Sequence, residues 1–205
     1  MEAEATRELL LDAAEEAFLE YGFSGTSLET IARRAGHSRG AIYWHFRDKS
    51  DLFVAMLSRV QLPLSGLVES FHQDTGGDPV ETLRRLCRFA LEKLIADPRH
   101  RRVHTILLYR CERIGEVNPT IQRQDEISQE FLRLVEQLFQ RAAEEGRLNP
   151  KLTPAVAASA LHAYMWGLLS QYLRSRAKCN LDEHADALLD AFFDWVARFA
   201  PGTPA

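Results

Sequence analysis

Two short helices joined by a turn of only a few residues can be read between Thr26 and Phe46, and no other stretch restricts the fold of the chain as much. Thr26 and Glu29 stand at the spacing of a capping box, in which side chains three residues apart each accept a backbone N–H at a helix start. Leu28, Ile31, Ala32 and Ala35 then recur at helical spacing, and Gly36 supplies the positive-φ residue that ends the first helix. Ser38 is placed to cap a second helix running from Arg39 to about His45. This is the pattern of a helix-turn-helix, here spanning residues 27–46.

The second helix leaves too much outside to be an ordinary surface rod. Ile42 and Phe46, four apart, can face a core together, but Arg39, Gly40, Tyr43, Trp44 and His45 cannot all be buried with them. Tyr, Trp and His carry a polar tip on a flat apolar body, and with Arg39 at the helix start they suit an element lying in a DNA major groove. The helix N-terminus adds partial positive charge and unpaired N–H groups for phosphate. The alternative is a plain helical hairpin with a solvated charged face, for which exposed Tyr, Trp and His are a poor surface.

The net charge of −4 by itself argues against a nucleic-acid binder. Its distribution matters more than its sum: from Arg33 to Lys49 the bases Arg33, Arg34, Arg39, Arg47 and Lys49 stand against the single acid Asp48. Acids crowd the preceding helix at Glu8, Asp12, Glu15, Glu16 and Glu20, and most of these must point away from DNA.

The run Ser-Arg-Gly-Ala-Ile-Tyr-Trp-His-Phe from Ser38 to Phe46, followed by Asp48-Lys-Ser-Asp-Leu-Phe53, closely resembles the signature of the TetR/AcrR family of bacterial transcriptional repressors. The stretch from Asp97 to Glu112 resembles the ligand-domain helix of the branch that represses multidrug efflux pumps. One departure is His37, where the family mostly places an apolar residue in the turn. The resemblance implies an all-α homodimer of about nine helices per chain: a three-helix DNA-binding domain over residues 1–50 and a ligand-binding and dimerisation bundle over 51–200. It implies that Arg39 reads a base, guanine above all. Tyr43 and the backbone at Gly40 and Ala41 would lie against base edges or phosphate, while Thr26, Ser27, Ser38, Trp44, His45 and Lys49 hold the phosphate backbone.

Along the chain, Leu10, Ala13, Ala14, Ala17, Phe18 and Tyr21 form the stripe of a first helix ended by Gly22. Asp48 and Asp51 cap a fourth helix that can run past Leu62 and Pro63 along Leu64, Leu67, Val68 and Phe71, making one rod shared by the head and the bundle. After the break at Thr75–Pro79 every segment reads as helix. These helices run from Pro79 to about Ala96, from Arg99 to Ile114 behind Pro98, from Pro119 to Gly146, from Pro154 behind Thr153 to about Ser175, and from a cap at Asn180 and Glu183 onward. The tail Pro201–Ala205 is expected to be loose. A hydrophobic share of 46% and a charged share of 26% are those of an ordinary globular protein, with no apolar run of membrane-spanning length and no signal-peptide pattern, so a cytoplasmic protein is expected. Cys87, Cys111 and Cys179, an odd number without C-x-x-C spacing, read as reduced thiols.

No nucleophile with its base, paired-carboxylate site or phosphate loop is readable, which points away from an enzyme. His100 and His104 at i, i+4 could be half of a metal site, but partner ligands are not evident and Arg101 and Arg102 beside them disfavour a cation; neither metal nor cofactor is expected. Three stripes mix apolar with polar or polarizable groups: His104, Leu107, Leu108 and Cys111; Phe131, Leu134, Val135 and Leu138; His162, Met165 and Trp166. Composition alone makes them core. The resemblance makes them, with Leu67, Leu83, Leu86, Cys87 and Ala90, the wall of a cavity for a small hydrophobic or aromatic effector, and Trp166 implies a smaller or more aromatic one. Apolar residues on the last two helices, Leu161, Tyr164, Leu168, Leu169 and Tyr172 with Leu188, Leu189, Phe192, Phe193, Trp195 and Val196, exceed what one bundle face needs and suggest the dimer surface. The chain thus reads as a repressor of a multidrug efflux operon, bound to a palindromic operator and released by its effector. The alternative is a related regulator of a metabolic operon with a fatty or aromatic ligand.

Overall fold

The computed structural model describes residues 2–60, 77–111, 119–175 and 180–197. They form α1 (Glu2–Tyr21), α2 (Leu28–Arg34), α3 (Arg39–His45), α4 (residues 49–60), α5 (Pro79–Ala96), α6 (Pro98–Tyr109), α7 (Pro119–Glu144), α8 (Pro154–Arg174) and α9 (Leu181–Val196). Among the described residues the only extended pairing is an isolated antiparallel bridge between Leu148 and Ala197. The expected continuation of α4 through Pro63, Leu64, Leu67, Val68 and Phe71 lies outside the described residues, as do Cys179 and the tail from Pro201.

The helices pack as two units. The first combines α1 to α4 with α6 and the start of α7; the second holds α5, the remainder of α7, α8 and α9. This packing division differs from a functional boundary after residue 50, because α4 and α6 both share a core with the head.

In the first unit, α1 buries Leu10, Leu11, Ala14, Ala17 and Phe18 against Ile31, Ile42, Phe46, Leu52, Phe53 and Met56, with Val103 and Ile106 of α6 completing the same core. The rings of Phe18, Phe23 and Phe53 meet with centroids 5.1–5.7 Å apart in tilted and edge-on contacts. Tyr21, expected on the buried stripe, is 50% exposed instead; it closes the helix under the Arg34 guanidinium, 5.5 Å from its ring. Gly22 at φ +77° ends α1.

The acids of α1 do point to partners of their own. Glu15 is fully buried, and its carboxylate meets Arg59 of α4 at 2.7 Å and Arg102 of α6 at 3.0 Å. Asp12 bridges Arg59 at 2.8 Å and Arg99 of α6 at 2.7 Å, and Glu8 also pairs with Arg59. Glu16 and Glu20 pair instead with Arg34 of α2, at 3.7 and 2.5 Å. A second tie joins α6 to the head: the Phe23 N–H donates to the Arg110 carbonyl at 2.8 Å. Because that carbonyl is turned to the loop after α1, α6 ends at Tyr109, short of the expected Ile114.

In the second unit, Leu83, Leu86, Leu91 and Leu94 of α5 pack with Leu138 and Phe139 of α7, Leu161, Leu168 and Tyr172 of α8, and Leu189, Phe192, Phe193 and Val196 of α9. Most of the apolar excess read as a dimer surface is therefore this unit's own core. What α8 and α9 leave exposed is Val156, Trp166 and Trp195. Arg84 and Arg88 of α5 pair with Asp190 and Asp186 of α9, the latter at 2.8 Å. Asp78 and Thr153 cap α5 and α8, each followed by the expected proline. The expected side-chain cap at Asn180 does not form: the residue lies at φ +42° and only its carbonyl serves α9, accepting from Glu183 and His184 N–H at 3.0 and 3.1 Å.

Arg59, only 10% exposed among three carboxylates, is the centre of the first unit's charge network. Arg59→Ala is expected to cost about 3–5 kcal/mol, the penalty for leaving a buried carboxylate without its principal partner. Urea unfolding measures it, and a loss below about 1 kcal/mol would put this network in the class of surface ion pairs.

Candidate nucleic-acid interface

Residues 27–46 form the two helices and tight turn that the spacing predicts. The caps differ in one place. Ser27, not Thr26, caps α2, its hydroxyl accepting the Thr30 N–H at 3.1 Å. Thr26 is 3% exposed and turns its hydroxyl inward, donating to the Gly22 carbonyl at 2.7 Å. The expected capping box of Thr26 and Glu29 is thereby replaced, because the carbonyls left open at the end of α1 claim the threonine. It also leaves Thr26 no free hydroxyl on the surface, whereas Ser27 is exposed. Gly36, at φ +73°, allows the chain to leave α2, and the Ser38 hydroxyl accepts the Ala41 N–H at 3.2 Å to start α3.

Among the residues of α3 only Ile42 is buried, and Phe46 at its C-cap is 2% exposed. Everything else on this rod faces outward or sits at its edge. Trp44 is 72% exposed and Tyr43 44%, with the side chain of Arg39 similarly open at 72%. At Gly40 an added Cβ would meet nothing nearer than the Ser38 hydroxyl at 3.8 Å, so the chain's own packing does not require glycine there. The bare backbone is open for close approach by another molecule. Ala41 and His45 are half-buried, and His45 packs edge-on to Trp44 with ring centroids 4.6 Å apart. Burial first, and the charge of Arg7 second, lower the pKa of His45, so it favours the neutral ring.

Lys49 stands differently from the expectation of an ammonium waiting for phosphate. Its Nζ donates to the carbonyls of Phe23 at 2.6 Å and Thr26 at 2.9 Å and lies 4.5 Å from the centre of the Phe23 ring. Burial lowers its pKa. Two of its three donors thus clamp the loop that leads into α2.

Sequence reasoning missed one member of this surface, Glu29. From α2 its carboxylate oxygen Oε1 accepts the Tyr43 hydroxyl at 3.1 Å and stands 3.2 Å from Arg39 Nε. The contact depends on how α2 crosses α3, which the spacing of residues along one helix does not reveal.

The residues assigned to an effector wall divide between the two cores. His104, Leu107, Leu108 and Cys111 belong to the first unit with α6. The His104 side chain is half-buried, its Nδ1 lies 2.8 Å from the His100 carbonyl, and desolvation lowers its pKa, favouring the neutral ring. In the second unit Leu83, Leu86, Cys87, Val135 and Leu138 are buried, while Ala90, Phe131, Leu134 and Met165 are half-buried. Burial pushes the Cys87 thiol up to about 12, so it is inert as a nucleophile. His162 and Trp166 do not face inward with Met165: the buried stripe of α8 is Ala157, Ala158, Leu161, Leu168 and Tyr172, and these two rings stack on its outer side at 6.2 Å. Leu67 lies outside the described residues. Among the described residues there is no cluster of His, Cys, Asp and Glu able to hold a metal ion and no helix long and apolar enough to cross a membrane.

Residues 10–56 match the family of bacterial regulatory proteins of the tetR type, and residues 78–197 match the C-terminal region of MAATS-type transcriptional repressors. The chain is 34% identical over 184 residues to the HTH-type transcriptional regulator AcrR of Shigella flexneri, covering 90% of this chain and 86% of that protein. Among solved structures, NalD, the secondary repressor of the MexAB-OprM multidrug efflux pump in Pseudomonas aeruginosa, matches with a TM-score of 0.88 and 42% identity over 97% of this chain and 99% of the other. A complex of SmeT with triclosan matches with a TM-score of 0.85 and 34% identity, covering 97% and 96%. SmeT is the repressor of the Stenotrophomonas maltophilia multidrug efflux pump SmeDEF.

The Lys49 clamp yields an expectation of its own. Lys49→Ala takes the ammonium from the Thr26 carbonyl and leaves the Phe23 carbonyl only the long bond from the Thr26 N–H, at 3.4 Å. It should lower the unfolding free energy by about 1–3 kcal/mol. Unchanged stability in a urea titration would show that these bonds are not kept in solution.

Proposed function

The chain belongs to the tetR family of bacterial regulatory proteins and is a DNA-binding transcription regulator, not an enzyme; from that membership we propose that it represses a multidrug efflux operon and leaves its operator when a small hydrophobic or aromatic molecule binds. The observation that carries the DNA part is α3: a short helix anchored by Ile42 and Phe46 that presents Arg39, Gly40, Tyr43 and Trp44 outward. Arg39 reads guanine, Tyr43 and the backbone at Gly40 and Ala41 lie against base edges or phosphate, and Ser27, Ser38, Trp44 and His45 fix the register. The efflux assignment is supported by NalD and SmeT, both repressors of multidrug efflux pumps, and the effector class by the triclosan complex of SmeT.

The effector contacts the apolar walls of α5, α7 and α8, where half-buried Ala90, Phe131, Leu134 and Met165 border the core residues Leu86, Cys87, Val135 and Leu138. Half-buried side chains can re-pack around a guest at lower cost than a close-packed centre. The protein acts in the cytoplasm as a homodimer joined through α8 and α9, whose exposed apolar side chains Val156, Trp166 and Trp195 a second copy would cover. Two copies place their α3 helices about 34–36 Å apart, one helical turn of a palindromic duplex.

A gel shift with the DNA upstream of the protein's own gene, with and without triclosan, tests the reading. Arg39→Ala should weaken the operator complex by about 1–3 kcal/mol and unrelated DNA by less; equal losses would reduce Arg39 to a phosphate contact. Leu134→Trp should abolish release by triclosan while operator affinity stays within a few fold, and an unchanged response would move the effector elsewhere. Sedimentation should show a dimer at micromolar concentration that Trp166→Asp converts toward monomer, whereas a wild-type monomer would remove the two-fold operator geometry.

A further inference from the structure

Glu29 is out of place by the electrostatic logic of the surface it occupies. A carboxylate beside a DNA-reading helix repels phosphate, yet this one stands on α2 against two of the side chains that α3 directs outward, Arg39 and Tyr43. One oxygen, Oε1, accepts the Tyr43 hydroxyl at 3.1 Å and stands 3.2 Å from Arg39 Nε, while the guanidinium lies 5.5 Å from the centre of the Tyr43 ring. Its own backbone N–H first, then Tyr43 and Arg39 among smaller contributions, lower the Glu29 pKa, so the group is ionised where DNA would bind. Arg39 and Tyr43 are i and i+4 on α3, so neighbouring side chains on one face meet a single carboxylate oxygen on the adjacent helix, one by a hydrogen bond and one by an ion pair.

We propose that Glu29 is a positioning residue for sequence reading, holding Arg39 by its Nε edge so that the two terminal amino groups face the paired acceptors of a guanine. The proposal rests on the DNA-binding reading above. A guanidinium offers five N–H donors in a planar fork; occupying the Nε side leaves the end that can donate to O6 and N7 together. An unheld Arg39, with most of its surface in solvent, would have to give up its rotamer freedom on binding. The charge of Glu29 acts in the second direction as well: it opposes every phosphate backbone alike, and only the correct base returns enough to offset it. Discrimination thus comes from both a preset donor and a standing repulsion.

The test uses the full-length protein, an operator duplex selected by the wild type from a random pool, and an unrelated duplex of equal length. Glu29→Ala is expected to lower the ratio of operator to unrelated affinity about tenfold, within the range that one bidentate base contact carries. Its affinity for unrelated DNA should hold or rise. Glu29→Gln keeps an acceptor for Tyr43 without the charge and should fall between the two; it supplies the same comparison where Glu29→Ala does not fold. Replacing operator guanines singly by 7-deazaguanine removes the N7 acceptor. At one of them the wild type should lose affinity, and that loss should shrink in Glu29→Ala. A helix that Glu29 merely props up would not change its response to a single base atom.

A folded Glu29→Ala with the wild-type ratio and the wild-type 7-deazaguanine loss would overturn the role of Glu29 and leave DNA binding intact, as would a ratio that rises, which marks the carboxylate as a competitor of guanine. Wild-type protein with no preferred duplex would remove the DNA-binding reading itself, and this proposal with it.

Discussion

A carboxylate with no exposure to water, Glu15, is the constraint around which the first unit is assembled. A buried charge is tolerable only where opposite charges surround it, and here they come from two other helices: Arg59 from α4 and Arg102 from α6, with Arg99 reaching the neighbouring Asp12. None of these helices can shift far along α1 without stranding charge in a dry environment. The apolar contacts of Phe18, Phe53, Val103 and Ile106 hold the same helices without direction. The arginines supply the register.

This arrangement makes α6 a structural partner of the helix-turn-helix. Its Arg110 carbonyl meets Phe23, whose own carbonyl receives the Lys49 ammonium that also holds Thr26, the residue before the Ser27 cap of α2. Each step is a hydrogen bond of 2.6–2.9 Å, and together they run from the end of α6 to the start of the helix-turn-helix. The sequence reading gave the head one further helix, the fourth; the packing of the first unit adds α6 to it.

Local order was legible wherever one residue decides one event. Gly22 and Gly36 at helix ends, Ser38 and Thr153 at helix starts and the prolines after Asp78 and Thr153 all stand as their neighbours predict, because capping is settled within a few residues. Ile42 as the anchor and Trp44 as the outward ring of α3 were equally readable, since the rod is too short to hide both. What failed was competition across distance. Thr26 lost its predicted cap role to carbonyls at the end of α1, and carbonyls of the loop take two of the three Lys49 donors. His162 and Trp166 turned to the outer side of α8 because the spacing of its stripe could be drawn through two adjacent faces. The apolar residues of α8 and α9 looked surplus until α5 and α7 were packed on them. Glu29 carried no signal at all along its own helix, for its partners are fourteen and ten residues away on another.

The bond between Phe23 N–H and the Arg110 carbonyl is made by backbone alone. Ordinary amino-acid replacement at either residue leaves both atoms in place, so alanine at Phe23 would report the loss of its buried ring and not of this bond. Only changes that alter the main chain itself can reach it: proline at Phe23, which deletes the N–H, or a side chain at Gly22, where φ of +77° strains any residue but glycine. The joint's inheritance is therefore tied to a glycine rather than to any side chain that makes the contact.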